Sequence, residues 1–211
     1  MGDMDINIRC DNIYMARGLR EGLSQISFRH DPQIKLNIVS IPGDSLSYIN
    51  WIASFCLRPV SHPTMLLGTE AQGRILSGLV NPVAVCMTDS RTSMRTLLQE
   101  GERFSTYFYN NLSLARKIQQ PPKLFLRDMD FLDGLFIQQI ERSSTMTKYV
   151  SAHKNKVRER MGVNSTCELF VKYLVLRELE RLQSLVNKQE ARRKKVVSEV
   201  GFFLPYCFAR T

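Results

Sequence analysis

TMTKYVSAHKNKVRERMG, residues 145–162, is the stretch around which the rest of the chain is organised. Its apolar residues Val150, Val157 and Met161 are spaced by seven and four, which places them on one face of a helix. Gly162 stands where a helix commonly ends in the left-handed conformation, and two threonines near the start offer hydroxyl N-caps. The spacing therefore predicts one short amphipathic helix.

The rest of this helix suits the major groove of DNA. The groove admits an α-helix, small and amide side chains read base edges, and cations hold phosphates. Glu159 is the only acid in the stretch. The predicted DNA-binding residues are Lys148, Ser151, Ala152, His153, Lys154, Asn155, Lys156, Arg158 and Arg160. A basic amphipathic helix is also common as plain solvated surface, and periodicity alone leaves that alternative open.

The segment VSAHKNKVRERMGVNSTCEL, residues 150–169, resembles the recognition helix and following turn of LuxR/FixJ-type helix-turn-helix regulators. The matching positions are Val150, His153, Lys154, Asn155, Val157, Arg158, Arg160, Met161, Gly162, Val163, Asn164, Ser165 and Leu169. The resemblance implies an all-α helix-turn-helix C-terminal domain that binds DNA. By position in that family, Ser151, Ala152 and Asn155 face base edges, and the lysines and arginines mainly contact phosphates.

The two helices that precede the recognition helix in such a domain are expected within residues 125–144. Asp128 or Asp130 can be the acid near the start of the first helix. The distance from this acid to His153 is several residues shorter than in the resembled family, and only Gly134 marks a turn. We therefore expect two helices that are each about a turn shorter, or one fused helix.

The longest predicted helix covers residues 164–185. Ser165 or Thr166 offers its N-cap, and Glu168 stands at the spacing of a capping box. An apolar stripe recurs at three- and four-residue steps along it, formed by Leu169, Tyr173, Leu176, Leu179, Leu182 and Val186. The inner part of the stripe suits packing within the domain or dimer contacts, and the outer turns suit a partner helix.

The N-terminal half alternates strand and helix patterns and resembles the receiver domain of response regulators. That resemblance implies an α/β fold of the flavodoxin-like type. The predicted strands are residues 5–9, 34–41, 64–67, 83–87 and 104–109, and the predicted helices are residues 10–26, 47–57, 90–100 and 112–118. Gly101 is expected to end the third of these helices, and Trp51 is expected to point inward. An unrelated α/β domain is the alternative.

Three of the four positions that carry receiver chemistry are altered. Cys10 stands where the first of two acids belongs, ahead of Asp11, and a thiol is a poor ligand for magnesium. Gly68 stands in place of the phosphoacceptor, and the strand-ending lysine has no match. Thr88 fits the remaining position. The receiver-like half is therefore predicted to be degenerate and not controlled by aspartate phosphorylation.

A polar pair followed by two prolines marks the predicted linker between the halves. The predicted organisation is a receiver-like domain in residues 1–118, a linker in 119–123, a DNA-binding domain in 124–190, and a basic then apolar tail in 191–211. The charge is distributed unevenly in the same way: residues 122–211 hold 17 Lys and Arg against 10 Asp and Glu, and residues 1–121 hold 12 against 10. A basic C-terminal part suits a polyanionic partner.

Composition excludes several classes of protein. Five scattered cysteines include no CxxC pair, which predicts neither a zinc site nor a disulfide framework. No apolar run has the length of a membrane span, so we expect no membrane partner. The scattered cysteines favour a reduced cytoplasm, and the protein is expected to join the nucleoid when bound to DNA. No metal site and no cofactor are predicted. No catalytic motif is found, and an enzyme on an α/β sheet is the least favoured hypothesis.

The sequence thus predicts a bacterial DNA-binding transcriptional regulator of the LuxR/FixJ type. Its predicted partners are double-stranded DNA and either a second copy, in a homodimer, or another regulator, in a heterodimer. The alternative is an interaction module that does not bind DNA, heterodimerises with another transcriptional regulator and modulates it. The shortened helix-turn-helix segment and the long apolar stripe favour that alternative.

Overall fold

The protein consists of a parallel β-sheet with helices on both faces and a helical C-terminal region. The computed structural model describes residues 5–24, 35–43, 45–58, 60–117, 125, 127–137 and 144–201, with the backbone alone at residues 5, 23–24, 45–46, 144–147 and 193–201. The four strands are β1 (Asp5–Arg9), β2 (Lys35–Ser40), β3 (Thr64–Gly68) and β4 (Val85–Asp89). The predicted α/β class with an added helical region is confirmed.

Helices flank the sheet and continue the chain beyond it. The helices of the described residues are α1 (Ile13–Ser24), α2 (Ser45–Cys56), α3 (Glu70–Leu76), α4 (Met94–Asn110), α5 (Leu112–Ala115), α6 (Met129–Phe136), α7 (Ser144–Arg160) and α8 (Thr166–Gly201). The first four predicted strands are confirmed within a few residues. The predicted helix 145–162 is confirmed as α7, and the long C-terminal helix runs past its predicted end to Gly201.

The strands run in parallel in the order β1-β2-β3-β4, and every residue of β3 is buried. In the flavodoxin-like order, β1 lies between β2 and β3. Here β2 occupies that place. Side chains of α1 and α4 pack on one face of the sheet, and those of α2 and α3 pack on the other, where α8 lies against α2 and α3. The strands are added in one direction across the sheet, but α1 crosses on one face while α2 and α3 cross on the other. The β1-α1-β2 crossover therefore has the opposite hand to the next two, although almost all such crossovers are right-handed.

The predicted fifth strand, residues 104–109, is wrong, because this segment is the last part of α4. The helix predicted for residues 90–100 is wrong in both limits, since α4 begins at Met94 and continues through Gly101. A Cβ at Gly101 would lie 2.8 Å from Cδ2 of Leu36 and 3.0 Å from Sδ of Met65. The glycine thus allows α4 to lie close against the sheet, and it does not end the helix.

Two further predictions need correction in part. The helix predicted for residues 112–118 is the short α5, Leu112–Ala115. Trp51 is half-buried and stacks on Phe55 with ring centroids 5.1 Å apart, while Tyr48 and Ile52 of the same helix are buried. The predicted linker 119–123 and the apolar tail after Gly201 lie outside the described residues.

The hydrophobic core continues from the sheet into the C-terminal helices. Leu66 of β3 and Ile52 of α2 belong to the same cluster of buried side chains as Val157 of α7 and Leu176 of α8. Arg74 of α3 also pairs with Glu168 at the start of α8, with guanidinium–carboxylate distances of 3.0 and 2.8 Å. The division into two domains stays a prediction, and the two parts of the chain pack on each other.

Lys172 is a fully buried cation where α3, α7 and α8 meet. Its Nζ donates to the carbonyl oxygens of Arg74, Ser77 and Met161 at 3.1, 2.7 and 2.7 Å. These carbonyls lie at the C-terminal ends of α3 and α7, where unpaired carbonyls and the helix dipole favour a cation. The ring of Phe125 lies 4.9 Å from the ammonium. Burial nevertheless lowers the pKa of Lys172 to about 8.

We predict that Lys172→Met lowers the free energy of unfolding by about 2–4 kcal/mol, because it leaves three helix-end carbonyls without their donor. Lys188→Met is the matched control, since Lys188 is an exposed lysine of the same helix, and it should change stability by less than about 0.5 kcal/mol. Urea denaturation followed by circular dichroism measures both changes.

The same pair of proteins gives a pH test. The pKa of folded Lys172 lies below its ordinary value of 10.5, so between about 8 and 10.5 the unfolded chain binds more protons than the folded one. The stability that Lys172 contributes therefore rises with pH across this window. The difference in unfolding free energy between the native chain and the Lys172→Met variant should increase from about pH 8 to about pH 10. A constant or shrinking difference contradicts the shift.

Candidate nucleic-acid interface

One side of α7 faces solvent along its described length, and we call it the outer face. It is formed by exposed residues one turn or less apart: Lys148, Ser151, Ala152, Asn155, Lys156 and Glu159. Tyr149 borders this face with 68% of its surface exposed. The outer face therefore carries small and amide side chains between two lysines, with one carboxylate.

The opposite side of α7 is packed against the protein. Val157 and Met161 are fully buried, and Val150 is half-buried. The imidazole of His153 meets the ring of Phe131 in α6 edge to face, with centroids 4.3 Å apart. His153 therefore lies at the side of α7 that contacts α6, away from the centre of the outer face. This packing fixes which residues of α7 are presented to solvent.

The end of α7 is fixed by its backbone. Gly162 has a φ of +66°, as the sequence predicts for a helix end. The N–H of Gly162 donates to the carbonyl of Glu159 at 3.0 Å, and the N–H of Val163 donates to the carbonyl of Arg158 at 3.1 Å. These are the two hydrogen bonds of a Schellman motif. Val163 is buried, which fixes the direction in which the chain turns into α8.

The N-terminus of α8 is capped as predicted. The hydroxyl of Ser165 accepts a hydrogen bond from the N–H of Glu168 at 3.0 Å. The Glu168 carboxylate accepts from the N–H of Asn164 at 2.8 Å and from the guanidinium of Arg74. Hydrogen bonds from Arg74 lower the pKa of Glu168, and the nearby charge of Arg158 adds to that shift. Arg158 therefore faces a carboxylate of its own chain.

Three of the predicted DNA-binding cations are available to an external anion. Lys148 and Lys156 are exposed on the outer face, and Lys154 is half-buried beside it. Their ammonium groups make no ion pair or hydrogen bond with any side chain that the structure describes. An anion that approaches the outer face therefore meets these lysines without displacing an internal partner.

Arg160 differs from these lysines, because it is held by Asp128 just before α6. The guanidinium donates to both carboxylate oxygens at 3.0 and 2.6 Å, and the Asp128 side chain is only 8% exposed. The pair joins the end of α7 to the start of α6. The sequence marks Asp128 only as an acid near a helix start, because 32 residues separate it from Arg160. In the sequence, the one sign that Arg160 has a partner within the protein was its place next to the apolar stripe that packs inward.

In the described part of the C-terminal region, α6 precedes α7, and Phe125 and Arg127 ahead of α6 are also helical. Asp133 of α6 accepts hydrogen bonds from the hydroxyl of Tyr173 at 2.5 Å and from the guanidinium of Arg177, so α6 is fixed on α8. A helix-turn-helix joins its two helices by three or four residues. Between α6 and α7 only Ile137 is described, because residues 138–143 lie outside the described range.

The altered receiver positions do not form one cluster. Asp11 follows β1, and Gly68 ends β3, with the whole of β2 between these strands. Neighbouring strands lie about 4.8 Å apart, so these two ends are separated by about twice that distance. Two other polar groups near these strand ends have partners within the protein. The hydroxyl of Thr88 donates a hydrogen bond to the carboxylate of Glu100 at 3.2 Å, and the carboxylate of Glu70 forms an ion pair with Arg74.

A cleft of about 430 Å³ lies beside the ends of β3 and β4. Its walls include Glu70, Asp89 and Gly162. Asp89 accepts a hydrogen bond from the N–H of Arg91 at 2.8 Å. Among the residues with described side chains, no group of three or more His, Cys, Asp or Glu is arranged to hold a metal ion. Desolvation raises the pKa values of the buried Cys56 thiol and the half-buried Cys86 thiol to about 12.

Lys172 is the structural residue that the sequence interpretation missed. It interrupts the apolar run FVKYLVL three residues after Leu169, on the side of α8 that packs inward. A lone cation at helical spacing within an apolar stripe was the signal that could have identified it. Its three acceptors could not be found from the sequence, because two of them lie more than 90 residues away.

Comparison with protein-family models, with curated proteins and with solved structures gives no match for this chain. The resemblance to LuxR/FixJ-type regulators and the helix-turn-helix assignment therefore stay predictions. None of the helices in the described residues is both long enough and apolar enough to cross a membrane.

The Asp128–Arg160 pair gives a prediction that separates structural cations from available ones. Arg160→Met should lower the free energy of unfolding by about 2 kcal/mol, because it leaves the Asp128 carboxylate without its charged donor. Lys156→Met removes a cation one turn earlier on the outer face and should change stability by less than about 0.5 kcal/mol. If urea denaturation gives the same loss of unfolding free energy for both variants, the Asp128–Arg160 pair does not stabilise the fold.

Proposed function

We propose that the protein binds double-stranded DNA through the outer face of α7 and acts as a transcriptional regulator. The observation that carries the proposal is the arrangement of that face. Small and amide side chains occupy its centre, while lysines without described partners lie on it and beside it. An exposed helix of this composition suits a major groove, because cations contact phosphates and amides contact base edges.

Charge and packing support the same proposal. The chain has a formal net charge of +9, and most of the excess lies after residue 121. The buried contacts of Val157 and Met161 fix α7 on the rest of the protein. A helix that contacts base edges needs such a fixed position to keep one register on DNA. The proposed regulator is of the LuxR/FixJ type, with a receiver-like half that is not switched by aspartate phosphorylation.

The decisive experiment removes the available lysines together. Lys148→Ala, Lys154→Ala and Lys156→Ala in one chain should weaken binding to every duplex by roughly tenfold or more at physiological salt. The slope of log K against log salt should become shallower by about 0.9 for each phosphate that the variant no longer neutralises. Fluorescence anisotropy over a salt series measures both quantities.

The matched control removes the same charge elsewhere. Arg91, Arg95 and Arg103 are exposed and have no described ion pair, and they lie in or just before α4 on the sheet. Replacing these three by Ala should leave the affinity and the salt slope nearly unchanged. If both triple variants bind DNA equally weakly, the affinity depends on the net charge of the protein and not on the outer face of α7.

The second candidate function is an interaction module that binds another regulator or a second copy. It is favoured by α8, which continues for several turns after its last buried residue, Leu179. Leu185 and Val186 on these turns are 44% and 47% exposed. Leu182 and Val186 follow Leu179 at steps of three and four residues, which is the spacing of a coiled-coil seam, and Leu185 lies beside them.

The two candidates make different predictions for α8. If a second copy covers the seam, Leu185→Lys with Val186→Lys should turn a dimer into a monomer in analytical ultracentrifugation. Gln183→Lys with Asn187→Lys adds the same charge at exposed polar positions nearby and should leave the dimer intact. Gel-shift assays with the native chain, alone and with added regulators, then show whether DNA binding needs a partner. A native chain that is monomeric at all concentrations contradicts the homodimer.

A further inference from the structure

We propose that Asn155 and Glu159 make the outer face of α7 selective for an adenine and a cytosine at neighbouring base pairs. This inference rests on the proposed function and names the DNA sequence that the same face would prefer. It assigns specificity to two residues and leaves general affinity to the lysines.

The two side chains are placed to read adjacent positions. They are four residues apart on α7, and both are exposed on its outer face. Residues at this spacing have Cβ atoms about 5–6 Å apart on one side of a helix. Successive bases on one strand are about 3.4 Å apart, so the two side chains reach base pairs one or two steps from each other.

The neighbouring residues allow close approach. Ser151 and Ala152 precede Asn155 by one turn and are exposed on the same face. Their side chains are the smallest on the helix surface, so the α7 backbone can lie deep in a groove at this turn. The longer Lys148 and Lys156 lie on either side of this turn and can extend toward the two phosphate backbones.

Asn155 has the chemistry that selects adenine. Its amide offers one donor and one acceptor, which match the N7 acceptor and the N6 donor of adenine in the major groove. The Asn155 side chain makes no hydrogen bond with any other residue that the structure describes, so both groups are available. No other base presents this pair of groups in the same order.

Glu159 has the chemistry that selects cytosine. A carboxylate on a DNA-facing surface is repelled by phosphates, so it contributes little to general affinity. It gains a favourable contact where a donor projects into the major groove, and the N4 amino group of cytosine is such a donor. No ion pair between Glu159 and a residue with a described side chain neutralises it. Glu159 therefore disfavours positions that lack a donor, and it prefers cytosine to adenine because the N7 acceptor beside the adenine N6 amino group repels a carboxylate.

The test is selection of bound duplexes from a randomised library, followed by sequencing, with the full chain and three single variants. The native chain should enrich sites with an adenine and a cytosine one or two base pairs apart. Asn155→Ala should lose the preference at the adenine alone. Glu159→Ala should lose the preference at the cytosine and bind unselected DNA several-fold more tightly. Lys156→Ala should bind more weakly while it selects the same sites.

The outcomes distinguish this inference from the proposed function. If the native chain selects a motif that neither the Asn155→Ala nor the Glu159→Ala substitution changes, DNA binding stands and the assignment of these two residues is overturned. If the native chain binds no duplex, both are overturned. All three substituted residues are exposed, so the variants should keep the native fold, and circular dichroism verifies this.

Discussion

The ammonium group of Lys172 is the interaction on which the arrangement of the C-terminal helices depends. Three carbonyls from two helix ends accept its hydrogen bonds, and these helices belong to distant parts of the chain. Burial of a charge is costly unless it is paired or hydrogen-bonded on all sides. The site satisfies the charge with helix-end carbonyls, so the position of α7 relative to α3 and α8 is closely specified. The outer face of α7 is therefore presented in one orientation.

The strand order has a comparable effect on the N-terminal half. A receiver concentrates its reactive groups because the strand that carries the acids lies next to the strand that carries the phosphoacceptor. In this sheet β2 separates the end of β1 from the end of β3. The ends of β1 and β3, where Cys10 and Gly68 stand, are thus not neighbours in this sheet. The absence of control by aspartate phosphorylation stays a prediction.

Local patterns predicted much of the secondary structure, because hydrophobic periodicity and capping act over a few residues. The four strands, the helix that ends at Gly162 and the Ser165 cap all follow from such patterns. The fifth strand was wrong because an aromatic segment with β propensity lies at the end of a helix whose buried side packs on the sheet. Tertiary packing outweighs propensity at such a position. The strand order could not be predicted, since alternation of strands and helices is compatible with several orders.

The candidate site was predicted in its composition and less well in its geometry. The outer face contains six residues of the same short stretch, and one helical period is enough to place them together. Sequence could not show that Arg160 is held by Asp128, since that contact joins two elements far apart in the chain. It also could not show that α8 supports α7, α6, α2 and α3 at once.

The length of α8 has a mechanical consequence. At 1.5 Å per residue, the turns after Leu179 extend roughly 33 Å from the packed part of the helix. A partner that pulls on the far end exerts a torque on the turns that hold α3 and α7. Because one amine joins all three helices, a tilt of α8 changes the angle of α7 directly, without a hinge between them. A force on the far end of α8 would therefore be transmitted as a rotation of the outer face of α7.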